Sequence, residues 1–460
     1  MRLWMIVLVP AALMAQPPVD GAQRVFDAWM NAQMAYRQLP GVAVGVVSDQ
    51  QLVWAKGYGF ADVDTKAPMT PATKFRMASH SKLFTATAIM QLRDQGKVRL
   101  DDPVVKYLPW FKPKPVEADD PPITIEELLT HSSGLSREAG SHWTDHKFPD
   151  ASEVRAYIEK SATVYSPQVR WKYSNLALTI AGLVVEAVSG EPYATYVQRH
   201  IFDPLAMASS SVDKDIAGMA VGYGRRMPDG KRARLPFVDA KAMGAATGIT
   251  STVEDMARFV SLQFRAGSPI LSTGALREMH RVRMMENDWT RGNAIGFAVN
   301  KTGDKLYVGH GGSYPGYKTQ TTVQLDDKVG VIVLTNGDDA NPGEIAQHLM
   351  QIVGAAVGKA SNKAKPEVPW NPSWTSFTGL YRSVSGDTAI VEVSQHLVSF
   401  DPTGANPERQ NKLVAIGNGE FRLEAPAGGG AVGEVVRFVA LPGGGMRMFT
   451  GGSYSNRLEP

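Results

Sequence analysis

The sequence predicts an α+β region, an antiparallel sheet flanked by helices plus a helical lobe, followed by a small all-β C-terminal domain. Three observations carry this prediction. Apolar, β-rich runs occur near both ends of residues 16–361, helical periodicity fills the stretch between them, and short β-runs with Gly-rich turns occupy residues 375–460. Strands from both ends of a region, with helices inserted between them, favour an antiparallel sheet covered by helices.

The first strands are predicted in the runs GVAVGVVSD (41–49) and QLVWAKGYGFAD (51–62). Both are rich in β-branched and aromatic residues and are joined tightly, which is typical of an antiparallel hairpin. A helix follows in LFTATAIMQLRDQGKV, directly after the stretch RMASHSK. The proline-rich residues 100–115 then indicate a loop.

Capping signals mark the helices of the lobe. Thr124 with Glu127, and Ser251 with Glu254, have the spacing of a capping box, in which each side chain satisfies a free backbone N–H group of the first turn. The run NLALTIAGLVVEAVSG has helical periodicity, and Gly190 is expected to end it.

Strand character returns in IGFAVNK, KLYVGHGG, KTQTTVQLDD and VGVIVLTNG, and EIAQHLMQIVGAAVG (344–358) is predicted as a closing helix. Residues 362–374, rich in proline and lysine, indicate a linker. After it, six short β-runs from DTAIVEVS to MRMFTGG predict an all-β module over residues 375–460. The predicted domains are therefore a leader at 1–15, the α+β domain at 16–361, the linker and this module.

Composition excludes several classes of protein. The formal net charge is +3 and no basic block stands out, so nucleic acid is not an expected partner. The chain has no cysteine, which excludes disulfides, thiolate nucleophiles and zinc–thiolate sites. His142, Asp145 and His146 lack a third histidine or a thiolate nearby, so neither a metal nor a cofactor is expected. His131, in LLTHSSGL, is interpreted as structural.

The N-terminal stretch MRLWMIVLVPAALMA has a basic residue, a short apolar run and small residues at its end. This is the pattern of a secretory signal peptide, here residues 1–15. The run is shorter than the about 20 residues of a membrane span, so no stable span is expected after cleavage. We therefore expect an exported, periplasmic or extracellular protein. An uncleaved anchor is the alternative, and the sequence leaves the oligomeric state open.

Ser79 and Lys82 form a Ser-x-x-Lys pair at the start of a predicted helix. Residues three apart are neighbours on a helix, and a serine hydroxyl needs an adjacent base to act as a nucleophile. The positive end of the helix dipole disfavours a lysine there by about 0.3–1 kcal/mol. Because that field and burial both lower the pKa of an amine, the position suits a Lys82 that must be neutral. A capping serine followed by a surface lysine is the structural alternative.

Two further motifs are Tyr173-x-Asn175 and His310-Gly311-Gly312. A tyrosine can relay a proton to a leaving group, and an asparagine amide can hold both a lysine and a substrate carbonyl. Two glycines on a strand permit the close approach of a substrate backbone. Taken singly, each motif also has a structural interpretation, as a helix start capped by Asn175 and as a β-bulge with a hydrogen-bonded histidine.

In this order, the three motifs resemble those of the serine β-lactamases and penicillin-binding proteins. The runs LLTHSSGL, YSNLALTIAGLVVE, GITSTVEDMARF and HGGSYPGY are similar to the class C-like branch, which holds class C β-lactamases, D-specific peptidases and carboxylesterases. The resemblance covers about residues 25–360. FTGLYRS and the strands after it resemble the lipocalin-like appendage of some of those peptidases. At this length, a full eight-stranded barrel with long strands is not expected.

The resemblance implies a role for each motif. Ser79 would be the acylated nucleophile and Lys82 the general base, with Tyr173 sharing or relaying the proton. Asn175 would orient Lys82 and the substrate amide. The backbone N–H groups of Ser79 and Ser313 would form the oxyanion hole, and such donors contribute about 10²–10³ in rate each.

His310 and Gly312 complete the implied substrate-binding residues. Where the family usually has a lysine, this chain has His310, which is mostly neutral near pH 7. The demand for a substrate carboxylate should therefore weaken, and β-lactam hydrolysis is less expected. A histidine at this position is similar to the aminopeptidase members of the branch.

The sequence thus predicts an exported serine hydrolase that acts through an acyl-enzyme on a small peptide, amide or ester. D-residue specificity is one outcome that the resemblance allows. A carboxylesterase or a weak class C-like β-lactamase is the alternative among enzymes. A non-catalytic penicillin-binding or sensor protein is the alternative from another class.

Overall fold

The structure is a computed structural model, and it describes residues 17–140, 142–212, 218–265, 268, 270–303, 305–361, 368–403, 410–425 and 431–458. The chain divides into two compact units, Met1–Ser361 and Asn362–Pro460. The predicted signal peptide and residues 362–367 of the predicted linker lie outside the described residues. Both stay predictions.

The helices of the first unit are α1 (Pro17–Arg37), α2 (Ser81–Asp94), α3 (Ile125–Leu129), α4 (His142–Asp145), α5 (Ala151–Lys160), α6 (Asn175–Ser189), α7 (Tyr193–Val197), α8 (Gly244–Thr247), α9 (Val253–Leu262), α10 (Thr273–His280), α11 (Pro342–Leu349) and α12 (Ala355–Ser361). Its strands are β1 (Gly41–Ser48), β2 (Gln51–Asp62), β3 (Ala67–Pro68), β4 (Phe75–Arg76), β5 (Ser211–Val212), β6 (Gly222–Tyr223), β7 (Arg234–Leu235), β8 (Ile249–Ser251), β9 (Met284–Met285), β10 (Gly292–Asn293), β11 (Ala298–Thr302), β12 (Lys305–Tyr314), β13 (Tyr317–Gln324) and β14 (Val329–Thr335). A 3₁₀ turn, Ala78–His80, leads directly into α2.

The main sheet of the first unit has nine strands in the order β3-β2-β1-β14-β13-β12-β11-β10-β9. Neighbouring strands pair antiparallel throughout this order. β1 pairs with β14 through Val44 and Val333, so strands from the two ends of the unit meet at the centre of the sheet. This confirms the predicted antiparallel sheet.

β1 is buried from Gly41 to Val47 because helices cover both faces of the sheet. Val42, Val44 and Val46 belong to the apolar cluster that includes α1 and α11. Ala43 and Val47 point the other way, into the larger cluster with α2, α6 and α9. A strand buried on both faces carries apolar residues without alternation, which explains the run GVAVGVV.

The two predicted capping signals had different outcomes. Thr124 begins α3 with the predicted capping box. The prediction for Ser251 was wrong by one residue, because Ser251 is the last residue of β8 and Thr252 caps α9 instead. The Thr252 hydroxyl accepts the backbone N–H of Asp255 at 3.1 Å.

The second unit is a closed antiparallel barrel of eight strands: β15 (Gly379–Ser383), β16 (Gly386–Val393), β17 (His396–Phe400), β18 (Asn411–Gly417), β19 (Glu420–Glu424), β20 (Val435–Ala440), β21 (Met446–Thr450) and β22 (Ser453–Arg457). Its strands have only five to eight residues, so the short module closes without the long strands that a full lipocalin barrel has. Trp374, Tyr381 and Phe421 fill its core, and Trp370 packs against Trp374. The predicted all-β C-terminal domain is confirmed.

Candidate active site

Ser79 lies at the 3₁₀ turn before α2, on the floor of a cleft of about 1110 Å³. Ala78, directly before it, has a φ of 52°, in the left-handed region that residues with a Cβ rarely adopt. Such strain persists only where surrounding contacts enforce it, and it is concentrated at functional sites. The turn leaves Ser79 half-buried while its neighbours Ala78 and His80 are fully buried.

Two of the predicted residues, Lys82 and Tyr173, are hydrogen-bonded to the hydroxyl of Ser79. Lys82 donates from Nζ to Ser79 Oγ at 3.0 Å and to the backbone carbonyl of Ala246 at 2.9 Å. Tyr173, just before α6, donates from its hydroxyl to the same Oγ at 2.8 Å. The i, i+3 spacing of Ser79 and Lys82 therefore does bring them together, as the motif predicted.

Burial shifts the pKa values of Lys82 and Tyr173 in opposite directions. Burial lowers the pKa of Lys82 well below its usual value, the negative charge of Glu138 opposes that shift, and Arg137 adds to it. Burial raises the pKa of Tyr173 to about 12, although its hydrogen bond to Ser79 opposes the rise. At neutral pH the Tyr173 hydroxyl thus keeps its proton, whereas the Lys82 amine has an increased neutral fraction.

The amide of Asn175 donates to a residue other than Lys82, the residue that the resemblance implies it would orient. Its amide Nδ2 donates to Glu138 Oε1 at 2.6 Å, and no hydrogen bond joins Asn175 to Lys82 among the described residues. The reason is Glu138, a carboxylate that also accepts from His142 Nε2 at 3.0 Å. Burial opposes ionisation of Glu138, but hydrogen bonds from His142, Trp143 and Asn175 hold its pKa below the usual value.

His310 lies on β12, half-buried, with its ring 6.0 Å from the ring of His80. Burial, together with the charge of Lys82, lowers the pKa of His310 to about 4. Histidine is therefore neutral here at pH 7, and the cleft has no fixed cation at this place in the strand.

Gly312 is one of the points at which the sheet lies directly against the turn that carries Ser79. A Cβ built at Gly312 would lie 2.2 Å from Thr319 Oγ1 and 2.5 Å from the carbonyl oxygen of Met77. Real Cβ atoms do not approach that closely, so only glycine lets β12 lie against the turn. β11 pairs with β12 as far as Gly309, and the segment from His310 to Tyr314, with Ser313 exposed in it, extends beyond that pairing along the cleft.

The cleft has aromatic and charged walls. The aromatic residues that line it besides Tyr173 are Trp143, Trp171, Phe297 and Tyr314. The charged residues that line it are Arg137, Arg225, Glu286, Arg291, Lys318 and Asp338. A site with this composition can take a polar or charged substrate that also presents an apolar part.

Sequence reasoning missed two groups near the nucleophile, the carboxylate of Glu138 and the backbone carbonyl of Ala246. No local sequence motif predicts either group, because the tertiary fold brings Glu138 and Ala246 close to Lys82. His131 also has a role beside the site. Its Nδ1 accepts the backbone N–H of Ser174 at 3.2 Å and its ring lies 4.4 Å from that of Tyr173, which agrees with a structural histidine.

His142 is held by Glu138, whereas Asp145 and His146 share no hydrogen bond with it among the described contacts. Within the described part of the chain, no group of three or more histidine, aspartate or glutamate side chains is arranged to hold a metal ion. No single described helix combines the length and hydropathy of a membrane span. One pair bent by 79°, α6 with residues 193–202, passes by length and composition alone.

The chain is similar to one protein family and to several known proteins. The model of the family described as Beta-lactamase matches residues 26–354. The chain is 25% identical over 336 residues to Protein flp of Staphylococcus aureus (strain MRSA252), across 72% of this chain and 66% of that protein. It is 31% identical over 221 residues to Esterase EstB of Burkholderia gladioli, across 45% of this chain and 56% of the esterase. The chain thus spans less than two thirds of the length of these relatives.

Among solved structures, the octameric penicillin-binding protein homologue from Pyrococcus abyssi is similar in fold. The TM-score is 0.65 at 24% identity, and the match covers 95% of this chain and 100% of that one. At this identity the likeness shows the fold.

Proposed function

This chain belongs to the beta-lactamase family, and from that premise we propose that it is a serine hydrolase that forms an acyl-enzyme on Ser79. One observation carries the proposal. Ser79 Oγ is hydrogen-bonded at once to Lys82 Nζ and to the Tyr173 hydroxyl, at 3.0 and 2.8 Å, at the floor of a cleft. A serine with an adjacent amine of lowered pKa is the arrangement that nucleophilic catalysis requires.

In the proposed acylation, the neutral amine of Lys82 takes the proton of Ser79 as Oγ bonds to the substrate carbonyl carbon. The charge that develops on the carbonyl oxygen is stabilised by the backbone N–H groups of Ser79 and Ser313. Tyr173 gives its proton to the leaving atom and regains one from the Lys82 ammonium. The leaving group departs protonated, and the same groups then activate the water that releases the acyl group from Ser79.

The proposed substrate is a small peptide, amide or ester, including peptides with a D-residue. The neutral state of His310 supports a substrate that needs no carboxylate at that place in the strand, which disfavours penicillins. The similarity to Esterase EstB over 221 residues supports ester hydrolysis as the second candidate activity. Export to the periplasm or beyond, which the residues before Gln16 predict, is part of the same proposal.

The test is labelling of the purified protein by a fluorophosphonate probe, beside a panel of p-nitrophenyl esters, D- and L-amino-acid anilides, D-Ala-D-Ala peptides and nitrocefin. We expect one labelled residue, Ser79, and turnover of at least one ester or amide. Ser79→Ala should abolish both labelling and turnover. Labelling that persists at another residue would refute the nucleophile, and a burst without turnover would favour a non-catalytic sensor.

A further inference from the structure

Two cations line the cleft beyond Ser313. Lys318 on β13 pairs with Ser313 on β12, so their side chains leave the same face of the sheet as direct cross-strand neighbours. Arg225 follows β6 by two residues and is exposed, whereas Lys318 is half-buried. Among the described residues, the guanidinium of Arg225 and the ammonium of Lys318 have no hydrogen-bond or ion-pair partner, unlike the paired Arg232 on the same hairpin.

The backbone around these cations is fixed by several contacts. Tyr223 forms a bridge with Gly337 and accepts the N–H of Asp338 at 3.0 Å. The N–H of Gly316, in the turn after β12, donates to Asp338 Oδ1 at 2.8 Å. The hairpin β6–β7, the turn between β12 and β13, and the loop after β14 therefore meet at one place. Asp338 is half-buried there. The positive charges of Arg225 and Lys318 lower its pKa, against the larger rise that burial causes.

The three charged groups sum to one excess positive charge in a water-accessible part of the cleft. A long charged side chain that serves only solubility does not need to line a concave site. Arg226, the neighbour of Arg225, is such a residue, because it is exposed and does not line the cleft. Positive groups converging on a cleft raise the local concentration of anionic ligands and fix their orientation. Arginine in particular suits the planar, two-oxygen geometry of a carboxylate.

We propose that Arg225 and Lys318 form a subsite that binds a carboxylate of the substrate. The inference rests on the proposed serine hydrolase and specifies its substrate class as anionic esters, amides or peptides. His310 is neutral and supplies no positive charge beside the nucleophile. Arg225 and Lys318 supply that charge farther along the sheet, where Lys318 lies across from Ser313. Asp338 acts against binding and sets how strongly the subsite attracts an anion.

The test uses two matched pairs of esters and the full chain. In the first pair, p-nitrophenyl hydrogen adipate is compared with its methyl ester, which differs only by neutralising the carboxylate on the acyl side. In the second pair, 3-acetoxybenzoate is compared with its methyl ester, which changes the leaving side. We expect wild-type kcat/KM to favour the carboxylate by about tenfold in at least one pair at low salt. That preference should shrink as ionic strength rises.

Two variants should change the preference for the carboxylate in opposite directions, and a third should leave it unchanged. The double variant R225Q/K318Q should abolish the preference, because kcat/KM should fall more for each carboxylate ester than for its methyl ester, and D338N should increase the preference. Arg226→Gln is the matched control, since it removes a charge from the same hairpin outside the cleft, and it should leave the preference unchanged.

The outcomes separate the two levels of the proposal. Equal rates within both ester pairs, or a preference that survives R225Q/K318Q, would overturn the carboxylate subsite and leave the hydrolase standing. Failure of all four esters to react, together with failure of the fluorophosphonate probe to label Ser79, would overturn the hydrolase itself, and with it the subsite.

Discussion

Lys82 illustrates how function opposes stability at a single residue. Its side chain is 1% exposed, and its amine is held by Ser79 and by the Ala246 carbonyl without a carboxylate partner. Burying an amine costs free energy, and folding limits that cost by releasing the proton. The buried amine of Lys82 therefore provides a base for the nucleophile but lowers the free energy of unfolding.

We therefore expect Lys82→Met to abolish turnover and also to stabilise the fold. The methionine has a similar length and no amine to desolvate, so the free energy of unfolding should rise by about 1–3 kcal/mol at pH 7. The folded-state pKa of Lys82 is depressed, so the unfolded chain of the wild type binds an extra proton below its unfolded pKa of about 10.4. The gain from methionine should consequently shrink as the pH rises towards that value.

Urea unfolding of both proteins at two pH values measures this difference. Lys82→Arg, which keeps a charge in the same place, is the control and should destabilise. A Met variant less stable than the wild type at pH 7 would contradict the cost that we assign to the buried amine.

Glu138 offers a second test at the residue scale, through pH dependence. Its negative charge raises the pKa of Lys82, against the larger lowering by burial. Glu138→Gln removes the charge but keeps an oxygen that can accept from Asn175. The pKa of Lys82 should fall further, so the acid limb of kcat/KM, which reports the loss of neutral Lys82, should move to lower pH.

The measurement is kcat/KM for one uncharged ester between about pH 4 and pH 9. Glu159→Gln in α5, an exposed carboxylate paired with Arg155, is the matched control and should leave the limb in place. A limb that moves to higher pH in Glu138→Gln would contradict the sign of this interaction.

The sequence was sufficient to predict which residues meet at the nucleophile, but not all of their partners. Ser79 and Lys82 share a helical spacing, and Tyr173 was found because the order of three motifs resembles a known family. The partner of Asn175 could not be predicted, because Glu138 lies 37 residues away in a loop with no recognisable motif. Which acceptor an amide finds depends on how two loops pack, and no local pattern records that.

At the scale of elements, the active site depends on how closely β12 approaches the turn before α2. Gly312 permits that close approach, because a Cβ at this position would collide with Met77 and Thr319. Gly312→Ala should push the strand from the turn and separate the N–H of Ser313 from Ser79. A displacement of about 1 Å at a catalytic site costs on the order of 100-fold in rate.

The sheet also provides a matched control one residue away. At Gly311 a Cβ would meet only the flexible side chain of Gln320 at 3.0 Å and a carbonyl at 3.8 Å. Gly311→Ala should therefore retain activity within about tenfold, and thermal unfolding should show both variants folded. Equal losses in the two variants would show that the strand does not depend on contact with the turn at Gly312.

Elements with strong local signals were predicted better than those defined by tertiary pairing. Thr124 was assigned correctly because a capping box is local, whereas the cap of α9 moved from Ser251 to Thr252 because β8 continues one residue farther into its sheet. The strand Ser453–Arg457 was missed because its residues are mostly exposed and show no apolar alternation. It exists because β15 and β21 leave two open edges that it closes.

At the scale of the whole molecule, the apolar cores follow the division of the chain. The two clusters of the first unit use residues from Val19 to Val357, and the cluster of the barrel uses residues from Trp374 to Met448. The barrel closes all of its strand edges on itself, which removes the need for pairing with another sheet. Each unit thus has what a domain requires to fold alone.

We expect a chain that ends at Ser361 to fold and to keep its nucleophile. The candidate site draws all its residues, from Ser79 to Gly343, from the first unit, so removal of residues 362–460 takes away none of them. The rate of fluorophosphonate labelling should stay within about threefold of the full chain, and the melting temperature should change by no more than about 4 °C, as expected for less than 1 kcal/mol at this size. Ser79→Ala in the shortened chain is the control for labelling. A shortened chain that aggregates, or that unfolds without a cooperative transition, would show instead that the barrel is part of the stability of the first unit.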